Sequence, residues 1–365
     1  MKILLVGGGS GGPVAPLLAV AEHIKNTHPK AEFLFIGGRV GPEAAMAKRA
    51  GIRFVPITAG KWRRYFHFGN ILTPLQVVIG FFQSWKILAK FRPDCVAGAG
   101  SFVQVPVIWA AWARRVPVAL HQQDVLPGLA NRLCEHAADK ITVTFSDSLT
   151  DFSSGLGLFY KKNKNKIVLT GNPSRESLKR STRAQGLKRY GLKPDLPTVL
   201  VLGGGTGAAA LNKLVADALP QLARVVQIIH STGSGKSAGL RRENYQAYEF
   251  IQDMAQAYAA ADIVIARAGL STITELSNLG KVSIIIPMPE SHQELNGFLL
   301  YRQQAAIVLD QRGVSAEGLV QVVRRLLFEP ALQERLKDNI GKIMPHDSNA
   351  KISDIIVKLA EQHST

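Results

Sequence analysis

Two cysteines in 365 residues, Cys95 and Cys134, are too few for a disulfide framework or a thiolate zinc site, which fits a reducing compartment. Met1 and Lys2 lead straight into a short apolar segment, so no secretory leader is expected. No apolar run approaches the roughly 18 residues that a membrane span needs, and the chain is expected to be soluble or peripherally attached. Acidic residues are also scarce: 27 Asp and Glu stand against 44 Lys and Arg. The deficit is uneven. Residues 1–175 carry 22 basic and 9 acidic side chains, whereas residues 176–365 carry 22 and 18. A merely basic surface explains the sign but not the asymmetry, which points to an anionic partner for the first half. The chain contains no Asp-x-Asp pair, so a carboxylate clamp for a divalent cation has no evident ligands and no metal is expected.

What the chain has in quantity is glycine, with 33 residues, and short apolar runs. KILLVG, EFLFIG, VPVALH and KITVTF in the first half, and TVLVLGG, RVVQIIH, DIVIAR and VSIIIPM in the second, alternate with amphipathic helical patterns. Continuous Val/Ile/Leu runs of this kind predict parallel sheets covered on both faces. The opening LLVGGGSGGPVAPLL is echoed by TVLVLGGGTGAAALNKLV at 198–215, so the two halves repeat one strand–glycine turn–helix plan. In both, glycine lets backbone approach closely and turns N–H groups outward at a helix N-terminus. The basic, proline-punctuated stretch around Pro173 to Pro197 is the natural hinge. The expected organisation is residues 1–175 as one domain and 176–348 as another.

Gly7, Gly9 and Gly12 satisfy G-x-G-x-x-G, the dinucleotide fingerprint. That role also needs an acid at the end of the second strand to hold ribose hydroxyls. The strand ends in Gly-Gly-Arg39, and the second glycine loop likewise reaches VVQIIHSTGSG without an acid. A dinucleotide enzyme is therefore disfavoured. HSTGSGKS at 230–237 ends like a phosphate-binding P-loop, but His230 stands where the first glycine is required.

The densest chemistry lies in ADIVIARAGLSTITELSNLGKVSIIIPMPESHQELNG, residues 261–297. A buried strand ends near Arg267, Gly269 permits a turn, and Ser271 or Thr272 is expected to open a helix whose N–H groups suit a phosphate. Glu275, about one turn on, is placed to accept from a ribose diol; the competing reading makes it the capping-box partner of Thr272. His292, Gln293 and Asn296 suit sugar hydroxyls, or simply start the next helix.

The pattern R-x-G-x-x-T-x-x-E followed by P…H-Q-x-x-N resembles the nucleotide-sugar half of the MurG family, the N-acetylglucosaminyltransferases of glycosyltransferase family 28. The resemblance extends over nearly the whole chain, through GGSGGPVAP, PVALHQQDVLPGLANR (117–132), TGNPSR (170–175), LGGGTGAAALN (202–212) and EFIQDMAQAYAAADIVIARAG (249–269). It implies an α/β fold of the GT-B type, two Rossmann-like doubly wound domains facing a cleft, with a last helix within 349–365 crossing back to the first. It implies inverting, metal-independent transfer of GlcNAc from UDP-GlcNAc to a lipid-diphosphate-linked muramoyl-peptide in peptidoglycan synthesis, with no cofactor. By the resemblance, Ile251 meets uracil, Glu275 the ribose, and Leu270, Ser271 and Thr272 the diphosphate. Gly205, Thr206, Ile273 and Thr274 belong to the same donor set, Gln293 and Asn296 hold the sugar, and Arg175 approaches the phosphates. Ser10, Gly11 and Gly12 cradle the acceptor's diphosphate.

Three departures fall in the acceptor half. The family's Gly-Gly-Thr-Gly-Gly-His ends here in Pro13, its His-Glu-Gln-Asn is HQQD ending in Asp124, and its Gly-Gly-Tyr-Val-Ser-Gly-Pro is GSFVQVP (100–106). A related enzyme with a different lipid acceptor, or a catalytically silent homologue, are the alternatives these changes raise. An attacking hydroxyl needs a base. With Pro13 unable to serve, Asp124 is the first candidate and His121 the second; the rival reading makes Asp124 a helix N-cap.

Residues 61–92 hold six Lys or Arg, no acid and eight aromatics. Such a mixture suits an anionic membrane surface better than nucleic acid, which accounts for the charge but not for Ile71, Leu72, Val77, Val78 and Ile79; the resemblance implies that the surface is the cytoplasmic face of the cell membrane. An ordinary helix over 76–91 is expected to bury part of the stretch.

Overall fold

A computed structural model describes residues 1–60, 73–150, 166–204, 207–236 and 242–364. The chain divides into two compact units, Met1–Ser174 with Met344–Thr365, and Arg175–Ile343.

The first unit runs β1 (Lys2–Val6), α1 (Ala15–Thr27), β2 (Glu32–Gly38), α2 (Glu43–Arg49), β3 (Arg53–Ile57), α3 (Thr73–Phe91), β4 (Cys95–Gly98), α4 (Gln104–Ala113), β5 (Val118–Gln122), α5 (Leu129–Cys134), β6 (Lys140–Val143) and β7 (Ile167–Leu169). The strands form one parallel sheet in the order β3-β2-β1-β4-β5-β6-β7. Successive side chains of β1 alternate between its faces, as strand geometry requires. Leu4 and Val6 pack with Leu34, Ile36, Val103, Ile108 and Leu88 on one side, while Ile3 and Leu5 pack with Phe33, Phe35, Leu17, Val20 and Ile24 on the other. A strand buried on both faces must be apolar throughout, which is why KILLV shows no polar alternation.

The second unit contains α6 (Arg183–Tyr190), β8 (Thr198–Leu202), α7 (Ala209–Leu222), β9 (Gln227–Ser231), β10 (Tyr245–Tyr248), α8 (Met254–Ala260), β11 (Ile263–Ala266), α9 (Leu270–Leu279), β12 (Val282–Ile285), α10 (Gln293–Arg302), β13 (Ile307–Val308), α11 (Ala316–Phe328) and α12 (Pro330–Lys342). Its sheet is again wholly parallel, in the order β10-β9-β8-β11-β12-β13. Val199, Val201, Ile263, Ile265, Val282 and Ile284 join the apolar stripes of α7 and α11 in one core.

The final helix, α13 (Ser348–Ser364), belongs to the first unit. Its Ile352, Ile356, Val357 and Ala360 enter the core beneath α1. Asn349 clips its start to the end of the sheet segment, accepting from Ser174 N–H at 3.1 Å and donating to Ser174 O at 2.8 Å.

Candidate active site

In each sheet the strand order reverses between the first and fourth strands, β1 and β4 or β8 and β11. Doubly wound sheets bind ligands beyond the strand C-termini at that switch point. In the second unit the paired, parallel strands β8 and β11 end there.

The loop after β11 is fixed from within. Arg267 Nη1 donates to Ile286 O at 3.0 Å and Pro287 O at 3.1 Å, and Nη2 donates to Gln311 Oε1, so one buried guanidinium ties the ends of β11 and β12 to the segment after β13. Burial pulls the Arg267 pKa down. Asn296 on α10 is buried and donates from Nδ2 to Ala268 O at 3.1 Å, while Gln293 Oε1 accepts from Met288 N–H at 3.1 Å.

α9 opens at Leu270, one to two residues before the expected start, behind Gly269 in extended conformation and with no side-chain cap. The N–H groups of its first turn therefore have neither an intrahelical acceptor nor a capping oxygen, and the helix dipole adds to their pull on an anion. Leu270, Ile273 and Thr274 are buried, Thr274 Oγ1 donating back to Leu270 O at 2.8 Å, whereas Ser271 and Thr272 are partly exposed.

Thr272 lies inside the first turn and not at the cap, so Glu275 is no capping-box partner. Instead its Oε2 accepts from the hydroxyl of Tyr258 on α8 at 2.7 Å. Tyr258 is fully buried and carries no local sequence signal for such a role. Burial raises the Glu275 pKa above the usual carboxylate range, opposed by the Tyr258 hydrogen bond and by the charge of Arg175, which falls in this second unit. Burial pushes the Tyr258 phenol well up, and the neighbouring carboxylate adds to the effect. An ionised carboxylate, accepting on both oxygens, is the form best suited to a diol. Tyr258→Phe removes a bond that favours the ionised form, so Glu275 titrates at higher pH. Uridine diphosphate affinity, measured by calorimetry from pH 8 down to pH 5, is expected to fall earlier on acidification in the variant than in the wild type. Superimposable pH profiles would remove Tyr258 from the site.

Ile251, in the loop between β10 and α8, is buried. Gly205, Thr206 and Ser237 lie outside the described residues. His230, the outsider in the P-loop-like stretch, bonds Tyr245 Oη at 3.0 Å and Asn212 Oδ1 at 3.1 Å, and burial lowers its pKa to about 4.

In the first unit, Ser10, Gly11 and Gly12 are exposed or partly so, in the loop between β1 and α1. Asp124 is half-buried in the loop after β5; α5 begins at Leu129 behind Gly128, so Asp124 does not cap it. Four groups connect this loop to the one after β4. Gly100 N–H donates to Gln104 Oε1 at 2.8 Å, Gln104 Nε2 to Asn131 Oδ1, and Asn131 Nδ2 to Gln122 Oε1. Gln122 Nε2 then donates to the carbonyls of Asp124 at 2.8 Å and Leu126 at 2.9 Å. Two positions that depart from the family pattern, Gln104 and Gln122, are thus joined through one asparagine. His121 is buried, with Nδ1 at 2.9 Å from Thr142 Oγ1 and Nε2 at 2.8 Å from Asn172 Oδ1. Burial lowers its pKa to about 4, against the pull of those bonds. Both nitrogens are bonded inside the unit, and Asp124 is the less buried of the two candidates.

Another feature of this unit is an apolar exterior. The inward stripe of α3 is Thr73, Val77, Gly80, Phe81, Ser84, Leu88 and Phe91, but Leu75, Val78, Ile79, Phe82 and Trp85 face outward at helical spacing and are exposed. Trp112 of α4 is also exposed, and the Arg114 guanidinium lies 4.7 Å over the Trp85 ring. Residues 61–72 of the basic stretch lie outside the described residues. No helix among the described residues is long and apolar enough to cross a membrane.

Residues 3–143 match the glycosyltransferase family 28 N-terminal domain, and residues 198–353 the family's C-terminal domain. Among known proteins, the chain is similar to the UDP-N-acetylglucosamine–N-acetylmuramyl-(pentapeptide) pyrophosphoryl-undecaprenol N-acetylglucosamine transferases of Listeria monocytogenes and Bacillus subtilis. It is 34% identical to the former and 32% to the latter, over 98% of this chain and 99% of the relative in each case. Among solved structures, MurG of Acinetobacter baumannii superposes with a TM-score of 0.72 at 24% identity, over 98% of this chain and 99% of that one.

Proposed function

The chain belongs to glycosyltransferase family 28, within the MurG family, and from that premise we propose that it transfers GlcNAc from UDP-GlcNAc to an undecaprenyl-diphosphate-linked muramoyl-pentapeptide. The observation that carries the donor half is the uncapped N-terminus of α9 with Glu275 one turn inside it, oriented by Tyr258. The backbone of Leu270, Ser271 and Thr272 receives the diphosphate, Glu275 the ribose diol, Ile251 the uracil, and Gln293 and Asn296 the sugar; Gly205, Thr206, Ile273 and Thr274 complete the donor set. Arg175 and the α9 dipole stabilise the UDP that leaves.

In the first unit, Ser10, Gly11 and Gly12 hold the acceptor's diphosphate. The acceptor hydroxyl oxygen attacks the anomeric carbon, the bond from that carbon to the UDP oxygen breaks, and the hydroxyl proton passes to Asp124. Direct displacement inverts the anomeric centre. Turnover of UDP-GlcNAc with and without lipid I tests the reading. UDP release that requires lipid I, with formation of a disaccharide lipid, is expected; release that ignores lipid I, or none with donor bound, favours the different-acceptor or silent-homologue reading raised by Pro13, Gln104 and Asp124.

The protein is proposed to work on the cytoplasmic face of the membrane, peripherally, through residues 61–92. The exposed Leu75, Val78, Ile79, Phe82 and Trp85, with Lys86 and Arg114 beside them, support this. Each basic residue near an anionic surface contributes about 1 kcal/mol within a Debye length, and apolar insertion adds a part that salt does not screen. Phe82→Ser with Trp85→Ser and Lys86→Gln is expected to release the protein from phosphatidylglycerol vesicles in a sedimentation assay, with UDP affinity unchanged. Binding of the wild type to single-stranded nucleic acid, and not to vesicles at low salt, would return the charge to a nucleic-acid role.

A further inference from the structure

Glu43, the first residue of α2, is fully buried and has no part in the reading above. Its Oε1 accepts from Gly9 N–H at 3.2 Å and from Gly38 N–H at 3.0 Å, joining the loop after β1 to the end of β2. A Cβ at Gly8 would collide with that oxygen, and one at Gly37 would come within 2.7 Å of Glu43 Cγ. These two glycines make room for the acid. Its Oε2 lies buried against Gly41 with no hydrogen-bond partner among the described residues. Buried carboxylate oxygens are ordinarily paired, so this side chain calls for an account beyond packing.

Its position indicates what that is. In a dinucleotide-binding sheet, an acid at the end of β2 faces ribose hydroxyls beside the glycine loop. Here an acid five residues beyond β2 folds back, and its own carboxylate lies between the end of β2 and the glycine loop, bonded to both. It consumes the Gly9 N–H, which leaves the exposed or partly exposed Ser10, Gly11 and Gly12 as the loop positions open to a ligand.

We propose that Glu43 is a positioning residue that shapes the loop Gly8–Gly12 into a cradle for a diphosphate while closing the adjoining place of a nucleoside. The first unit then accepts a diphosphate borne on a lipid and discriminates against a nucleotide. This rests on the reading of Ser10–Gly12 as the acceptor's diphosphate site.

Two measurements on the full-length protein separate the proposal from that reading. Amide hydrogen exchange of the free enzyme reports the loop itself. Glu43→Ala is expected to speed exchange in peptides covering Gly9 and Gly38, whereas Glu43→Gln, which keeps an accepting oxygen with weaker, uncharged bonds, moves it little. Steady-state kinetics with lipid I reports the consequence. In Glu43→Ala the acceptor KM is expected to rise about tenfold or more with kcat within about threefold and UDP affinity unaltered, and Glu43→Gln to recover most of the loss. Should the alanine variant not fold, Glu43→Asp, one methylene shorter, withdraws the carboxylate from both N–H groups and carries the same expectation. Unchanged exchange in the alanine variant, or an unchanged acceptor KM despite faster exchange, overturns the proposal. Equal loss of melting temperature in the Ala and Gln variants with no KM difference reduces Glu43 to packing and overturns it too. Exchange that responds as expected in Glu43→Ala, while the wild type does not turn over lipid I, defeats the diphosphate reading, and with it the substrate half of the proposal.

Discussion

Glu275→Ala is expected to lower uridine diphosphate affinity by at least tenfold, and by more than a hundredfold if both ribose bonds are lost. Hydrogen bonds to a charged acceptor contribute about 1.5–3 kcal/mol each, and about 1.4 kcal/mol is a factor of ten. The alanine also removes the acceptor of the buried Tyr258 hydroxyl, at 2.7 Å in the wild type, so some thermal stability is lost for reasons unrelated to ligand. Glu275→Gln separates the two effects. The amide oxygen still accepts from Tyr258 and holds the melting temperature near that of the wild type, but the charge that receives the diol is gone. Calorimetry showing weak UDP binding in both variants, with the melting temperature depressed only in the alanine, is the expected pair of results. Full UDP affinity in Glu275→Gln would reduce Glu275 to a buried partner of Tyr258.

Asp124→Asn is expected to reduce kcat by about a hundredfold or more with donor affinity intact, which is the contribution typical of a positioned general base. The substitution is close to isosteric, and it installs the residue type that the family pattern carries. The loop that bears Asp124 is held in part by the Gln122 side-chain amide, which donates to the carbonyls of Asp124 and Leu126 and is untouched by the substitution; unchanged amide exchange in this loop would assign a loss of rate to the carboxylate. Single-turnover measurement of disaccharide formation across pH 5 to 9 is the appropriate check. Equal or faster turnover in Asp124→Asn would remove the carboxylate from the chemistry. Pro13→His in the Asp124→Asn background is the companion variant, since it restores the imidazole that this chain lacks at the end of its first loop.

The parts of the fold legible in the sequence were those buried on both faces. The runs KILLV, EFLFI, TVLVL and VSII announce themselves because a central parallel strand has no solvent face on which to carry polar residues. The four strands at the sheet edges, β3, β7, β10 and β13, escaped because each is only partly buried: RFVPI and YQAY are broken by charged, proline or polar residues, and IVL and IV are very short. β4 escaped for the opposite reason. Its CVAG is wholly buried but short and small. At the candidate site, glycine spacing and the R-x-G-x-x-T-x-x-E pattern were visible because each reflects a local turn. Tyr258 and Glu43 were not, since the partner of Tyr258 lies 17 residues away and the glycine-loop partner of Glu43 lies 34 away, and only the folded sheet brings them together. The crowding of Gly37, Gly38 and Gly41 just before Glu43 was the one available hint that an acid was being accommodated.

The return of α13 gives the two units unequal standing while the chain is being made. Arg175–Ile343 is continuous in sequence and has all its parts once the ribosome passes Ile343, whereas the first unit still lacks Ile352, Ile356, Val357 and Ala360 from its core. The unit begun first is therefore the last completed, and its apolar face under α1 stays open through the whole synthesis of the other. A message truncated shortly before Ser348 would leave the sugar-nucleotide half intact and the other half aggregation-prone.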